Sequence, residues 1–128
     1  MVVDASALLE VLLQTPAARQ VSNFLFAKNQ TLHAPHLIDL EVAQVLRRYE
    51  RSGVISAQRG AEALTDLLDF PLTRYPHFVL LDRIGQMRHG LTAYDAAYLA
   101  LAEALDAPLV TRDAALAKTG SHVRVEVI

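Results

Sequence analysis

Four acidic residues far apart in the chain have positions that suit catalysis or metal binding: Asp4, Glu41, Asp95 and Asp113. Asp4 directly follows the apolar run MVV and Asp113 directly follows PLVTR, so each lies where a predicted strand ends and a helix begins. An aspartate beside a buried strand loses hydration worth several kcal/mol unless a partner compensates it. Acids that supply oxygen ligands without cysteine or imidazole suit hard cations such as Mg²⁺ and Mn²⁺.

The other two acids lie on predicted helices. Asp95 falls in the first turn of an alanine-rich helix, three residues after Thr92. Glu41 borders an apolar stripe with helical spacing, formed by Ile38, Val42, Val45 and Tyr49. Several carboxylates at one buried edge would repel each other and raise their own pKa values. A divalent cation removes that penalty, so the acids taken together favour a metal site.

Each acid taken alone also has a purely structural interpretation. Asp4 and Asp113 could cap the helices that follow them, and Thr92 with Asp95 fits a capping box. Glu41 could be a rim carboxylate paired with an arginine. For any single acid, capping or surface pairing is favoured, because aspartate is a strong N-cap residue.

Predicted strands alternate with predicted helices. The strands are MVV, TLHA, PLVTRD and HVRVEV, and PLTRYP is a further short extended piece. The helices are ASALLEVLL, PAARQVSNFLFAKNQ from Pro16, PHLIDLEVAQVLRRYERSG ended by Gly53, SAQRGAEALTDLLDF capped by Ser56, HFVLLDRIGQMRHG ended by Gly90, LTAYDAAYLALAEALD, and the turn AALAKT. The third and fourth should form a helical hairpin. This alternation predicts an α/β domain with parallel strands. Such domains bind ligands beyond the carboxyl ends of their strands.

Length and composition limit the possibilities further. With 128 residues, 52% of them hydrophobic, the chain suits a single domain over 1–128. It has no cysteine, which excludes disulfides and thiolate metal sites, and no apolar stretch near the ~18 residues that cross a bilayer. The opening segment has no basic start and carries acids, so a cytoplasmic protein without a membrane partner is expected. The net charge of −2 lacks the basic excess typical of nucleic-acid binding.

Four segments, in their order and spacing, resemble PIN-domain proteins, and most closely VapC-type toxins: VVDASALL, LIDLEVAQVLRR, LTAYDAAYLALAEAL and PLVTRDAALA. The third and fourth are the most specific, and the resemblance covers essentially the whole chain. It implies a PIN-like fold, with a parallel sheet of about four to five strands flanked by helices and a protruding two-helix hairpin. It further implies a metal-dependent endoribonuclease, the toxin of a type II toxin–antitoxin pair. The implied partners are an RNA substrate, a cognate VapB-type antitoxin and a second copy of the chain in a homodimer.

The resemblance also implies the roles of individual residues. The family's acidic site maps onto Asp4, Glu41, Asp95 and Asp113, and its hydroxyl positions map onto Ser6 and Thr111, which would orient the carboxylates or a ligand water. One or two Mg²⁺ or Mn²⁺ ions would activate a water for in-line attack on a phosphodiester, leaving a 5′-phosphate and a 3′-hydroxyl. Glu41 would bind a second metal through water or act as a general base. Family members often carry a further acid after the last aspartate, where this chain has AALA, so the number of metals stays open.

Arginine side chains near the acids could hold RNA phosphate, because the planar guanidinium suits phosphate. Three of them follow Glu41 on its helix: Arg47, Arg48 and Arg51. Arg48 lies broadly on the face of Glu41 and is the candidate for RNA contact; a solvated helix end that complements the dipole is the alternative. Arg112, beside Asp113, could neutralise that acid or contact phosphate.

Two other classes compete with a nuclease. A receiver-type regulatory domain has a similar length and an acidic Mg²⁺ pocket, but it needs an acid pair after the first strand and a lysine at a late strand end. Asp4 has no acidic neighbour, and the only lysines are Lys28 and Lys118. A PIN-like protein that binds RNA or an antitoxin without cutting is the second alternative, and the four intact acids argue against it.

Overall fold

The computed structural model describes residues 1–128, which form a five-stranded parallel sheet and six α-helices. The strands are β1 (Val2–Val3), β2 (Leu32–Pro35), β3 (Leu72–Tyr75), β4 (Leu109–Thr111) and β5 (Val125–Val127). The helices are α1 (Ala5–Leu12), α2 (Ala18–Leu25), α3 (Leu37–Arg51), α4 (Ala57–Asp69), α5 (Leu81–Gln86) and α6 (Ala93–Ala104). Two short 3₁₀ helices cover His77–Leu80 and Ala114–Lys118. The predicted fold is confirmed. None of the helices combines the length and the apolar character that a membrane span requires.

The strand order places β1 at the centre of the sheet. The order is β3-β2-β1-β4-β5, and every neighbouring pair is parallel. The chain moves outward from β1 through β2 to β3 and then returns to the other side of β1 as β4. Parallel α/β sheets bind ligands beyond the carboxyl ends of their strands at such a switch point. The β1–β4 boundary, after Val3 and Thr111, is therefore the expected place for a site.

Helix α6 is buried on almost all sides because its side chains are mostly small. All residues from Ala96 to Ala102 are buried. One side of the helix joins the main core, and the other packs through Ala96, Ala97 and Ala100 against Ile84 of α5. Since α6 leads into β4 and packs on the sheet, its first turn lies at the carboxyl edge.

Most predicted elements are present, with shifted ends. The extended piece PLTRYP is a full strand, β3, paired with β2. Helix α2 begins after Pro16 and ends at Leu25; the expected extension toward Gln30 fails, and Asn29 there has a φ of 64°, in the left-handed region. The helix expected over 77–90 is instead a 3₁₀ helix followed by the short α5, in which Gly85 lowers helix propensity. The hairpin of α3 and α4 forms as expected.

Candidate active site

Asp4 is buried at the end of β1, with only 7% of its surface exposed. Its Oδ1 accepts hydrogen bonds from the Ser6 hydroxyl at 2.6 Å and from the Ala7 backbone N–H at 3.1 Å, the second of which caps α1. Its Oδ2 accepts a bond from the Thr111 hydroxyl at 2.5 Å. Burial raises the pKa of Asp4, although these donors oppose the shift. Asp4 therefore caps a helix and also places a buried carboxylate at the switch point.

Ser6 and Thr111 connect the start of α1 to the end of β4. Their hydroxyl oxygens lie 3.3 Å apart. The Arg112 backbone N–H donates to Ser6 Oγ at 2.9 Å, and the Asp113 N–H donates to Thr111 Oγ1 at 2.9 Å. Both hydroxyl residues thus contact Asp4 and fix the segment that leads to Asp113, which is consistent with the orienting role that the resemblance implies.

Asp95 and Asp113 lie on neighbouring segments of the same edge. Asp95 is half-buried in the first turn of α6, where its backbone N–H donates to the Thr92 hydroxyl at 3.2 Å. Asp113 is exposed, and its Oδ1 caps the following 3₁₀ helix by accepting from the Ala115 N–H at 2.9 Å. Burial, and then the charge of Asp113, raise the pKa of Asp95. The two carboxylates are therefore within electrostatic range of each other.

Glu41 reaches the same site from α3. It is half-buried, and the Tyr98 hydroxyl donates to its Oε1 at 2.5 Å. Burial raises the pKa of Glu41, the Tyr98 bond opposes this shift, and the charges of Asp4 and Asp95 add to it. The expected alternative, a pair with an arginine, is wrong, because the partner of Glu41 is a tyrosine. The structure thus brings all four predicted acids to one edge.

The donor set fits a hard divalent cation. No three acidic or histidine side chains lie close enough to form a ready-made metal site. The pKa of each of the carboxylates of Asp4, Glu41 and Asp95 is nevertheless raised. At Glu41, repulsion by the charges of Asp4 and Asp95 contributes to the shift. A cation with oxygen ligands relieves both burial and repulsion of such acids.

An open groove of about 780 Å³ lies beside Glu41, the one acid of the four that lines it. Its polar lining includes Ser6, Glu41, Gln44, Arg47 and Tyr94, and the rest is mainly apolar. The groove gives an extended ligand direct access to Glu41.

The arginines are arranged differently from the simplest sequence expectation. Arg47, rather than the predicted Arg48, lines the groove. Arg48 is exposed, and its guanidinium lies 5.8 Å from the centre of the Tyr49 ring. Arg112 forms an ion pair with Glu10 at 3.4 Å and donates to the Ile128 carbonyl.

One residue at this site, Tyr98, was not predicted from the sequence. Tyr98 carries the only hydroxyl in the buried run of α6, and a buried hydroxyl needs a partner, so its position three residues after Asp95 was a usable signal. Arg47 is one of the three arginines that the sequence offered as phosphate contacts, and the packing of α3 decides that Arg47 rather than Arg48 lines the groove.

The chain matches known proteins over nearly its whole length. The family model described as PIN domain matches residues 1–121. VapC ribonuclease Mb0985 of Mycobacterium bovis is 45% identical over 119 residues, covering 93% of this chain and 90% of that protein. Ribonuclease VapC12 of Mycobacterium tuberculosis is 38% identical over 121 residues, covering 94% of this chain and 92% of that protein.

The fold is also that of a chain in a solved structure. A chain in the crystal structure of VapBC2 from Rickettsia felis, bound to a DNA fragment from their promoter, superposes with a TM-score of 0.72 at 15% identity. The match covers 98% of this chain and 96% of that chain. The sequence resemblance is confirmed by these matches, and the chain therefore belongs to the PIN domain family, with VapC ribonucleases as its relatives.

Proposed function

We propose that this protein is a metal-dependent endoribonuclease and the toxin of a type II toxin–antitoxin pair. The observation that carries the proposal is that Glu41 lies within electrostatic range of Asp4 and Asp95, and Asp95 within electrostatic range of Asp113, at the carboxyl edge of the sheet. Relatives at 38% and 45% identity are named ribonucleases, which supports RNA as the substrate.

In this proposal, Asp4, Asp95 and Asp113 hold Mg²⁺ or Mn²⁺, with Glu41 as a further ligand, directly or through water. The cation supplies Lewis-acid polarisation of the phosphodiester and a lowered pKa for a bound water. Ser6 and Thr111 hold the Asp4 carboxylate in place through the hydrogen bonds described above.

Glu41 is the candidate general base. It lines the groove, and its Oε2 makes no hydrogen bond within the chain, so one carboxylate oxygen is free to accept a proton. Glu41 takes a proton from the attacking water as the water oxygen bonds to phosphorus. The bond from phosphorus to the 3′ oxygen breaks, and this oxygen takes a proton from solvent water, so the products carry a 5′-phosphate and a 3′-hydroxyl.

The proposed partners are RNA, a VapB-type antitoxin and a second copy of the chain. The mainly apolar groove suits an amphipathic segment of an antitoxin, and the solved VapBC2 structure of Rickettsia felis supports this kind of partner. Arg48 and Arg112 remain predicted RNA contacts, and Arg47 is added because it lines the groove. We also propose a cytoplasmic location, which suits a chain without cysteine.

Cleavage of a structured RNA by the purified full chain, free of antitoxin, tests the proposal. We expect cutting in Mg²⁺ or Mn²⁺, none in EDTA, and a loss of at least about a hundredfold in Asp4→Asn and Asp95→Asn. Asp66→Asn is the matched control, because Asp66 is an exposed acid on α4 without an ion pair. Cutting that persists in EDTA or in either site variant contradicts the assignment. RNA binding without cutting by the wild type favours the non-catalytic alternative.

A further inference from the structure

Tyr98 is a buried tyrosine with one hydrogen-bond partner. Only 2% of its surface is exposed, and it carries the only hydroxyl in the buried run of α6 from Ala96 to Ala102. Buried phenol groups usually find a partner. The partner here is Oε1 of Glu41, 57 residues earlier in the chain and 2.5 Å away.

The Glu41 side chain has no other hydrogen bond or ion pair within the chain. None of the ion pairs includes it, and its Oε2 makes no hydrogen bond within the chain. A glutamate side chain has three rotatable torsions and loses much conformational freedom when it is fixed. The Tyr98 hydroxyl is therefore the contact that selects the orientation of the carboxylate, while Glu41 lines the groove.

A tyrosine suits this task better than a basic residue. An arginine or lysine in its place would neutralise the carboxylate, whereas a hydroxyl orients it and leaves its negative charge available. Tyr98 also lies on α6, three residues after Asp95. One helix, packed on both sides, thus fixes the backbone of Asp95 and the side chain of Glu41.

We infer that Tyr98 is a positioning residue, whose hydroxyl holds the Glu41 carboxylate so that its free oxygen serves the cleavage reaction. This inference rests on the proposed function and acts only through Glu41. The aromatic ring itself belongs to the core, so the hydroxyl and the ring can be separated by substitution.

Tyr98→Phe tests the inference because it keeps the ring and removes only the hydroxyl. In the full chain we expect kcat for RNA cleavage to fall about tenfold to a hundredfold, with KM changed less than about twofold. Binding of Mn²⁺ alone, measured by calorimetry, should weaken at least about tenfold. The matched control is Tyr75→Phe, which removes a hydroxyl bonded to His33 Nδ1 at 2.7 Å and should change neither quantity.

A double variant shows whether Tyr98 acts through Glu41. Adding Tyr98→Phe to Glu41→Gln should weaken Mn²⁺ binding no further than Glu41→Gln alone, because the two residues form one unit. An equal loss in both backgrounds, or a wild-type kcat and Mn²⁺ affinity in Tyr98→Phe, overturns the inference.

A crystal structure of Tyr98→Phe separates this inference from the proposed function. The Glu41 carboxylate should leave the position that it has in the wild type, and Tyr75→Phe should leave it unchanged. A Glu41 carboxylate that stays in place without the hydroxyl overturns the inference, whether or not the wild type cuts RNA. A wild type that neither binds Mn²⁺ nor cuts RNA overturns the proposed function instead.

Discussion

Thr111 is a single side chain that contacts two of the four acids. It is fully buried, donates to Asp4 Oδ2 at 2.5 Å and accepts from the Asp113 backbone N–H at 2.9 Å. A buried carboxylate or N–H that loses its partner is costly, because water cannot replace the bond. The hydroxyl therefore stabilises the end of β4 and orients Asp4 at the same time.

Thr111→Val should affect both properties, since valine keeps the shape and removes the hydroxyl. We expect the free energy of unfolding to fall by about 1–3 kcal/mol and Mn²⁺ affinity to fall about tenfold or more. Thr65→Val is the control, because Thr65 is exposed and donates only within α4, to the Ala61 carbonyl at 3.2 Å. Denaturant unfolding and calorimetry measure the two effects. Unchanged Mn²⁺ affinity in Thr111→Val would mean that the hydroxyl is structural alone.

Helices α4 and α6 have equivalent N-caps, but their first turns differ in function. Ser56 caps α4 by accepting from the Arg59 N–H at 3.0 Å, and Thr92 caps α6 by accepting from the Asp95 N–H at 3.2 Å. The bonds have similar geometry, but only the first turn of α6 carries a candidate metal ligand. Loss of the Thr92 cap releases the backbone of Asp95 itself.

Ser56→Ala and Thr92→Ala should therefore separate stability from activity. Each should lower the free energy of unfolding by about 1 kcal/mol, the usual cost of a lost cap. Only Thr92→Ala should slow RNA cleavage, by about tenfold or more, because small displacements of a catalytic group reduce the rate strongly. Thermal unfolding and single-turnover cleavage check this, and an equal change of rate in both variants would contradict it.

The acids at the switch point also influence the stability of the whole molecule. The pKa values of Asp4, Glu41 and Asp95 are raised in the folded chain, mainly by burial. The folded state therefore keeps protons that the unfolded chain has already released. By linkage, the contribution of these three acids to the free energy of unfolding falls as the pH rises from the pKa values of the unfolded chain through the raised pKa values of the folded chain. A cation bound only by the folded state reverses this loss.

Thermal unfolding of the full chain with and without Mn²⁺ should show both effects. In EDTA, the contribution of these acids should make the protein less stable at about pH 7 than at about pH 5. Mn²⁺ at about a hundred times its Kd should add about 2.7 kcal/mol, chiefly at the higher pH, where the carboxylates are ionised.

Asp4→Asn isolates the contribution of one acid. Asparagine caps a helix about as well as aspartate, so the variant should fold, depend less on pH and gain less from Mn²⁺ than the wild type. A variant with the same pH dependence as the wild type would show that Asp4 does not contribute to it.

Local patterns in the sequence determined the elements and the acids. The MVV and PLVTR runs, the caps at Ser56 and Thr92 and the stop at Gly53 act through neighbouring residues, so they could be read without the fold. Weaker local signals failed, as in the helix expected over 77–90. The segment PLTRYP forms the full strand β3 because it pairs with β2, and no local pattern encodes that pairing.

Only the tertiary structure decided which side chains the acids contact. The return of the chain from β3 to β4, beside β1, brings Thr111 to Asp4 across 107 residues. The packing of α6 on the sheet brings the Tyr98 hydroxyl to Glu41, and packing of α3 turns Arg47 toward the groove. These contacts depend on strand order and on which helix faces are buried. The sequence by itself thus determined which acids are candidates for the chemistry, and the assembly of the sheet determined the side chains that contact them.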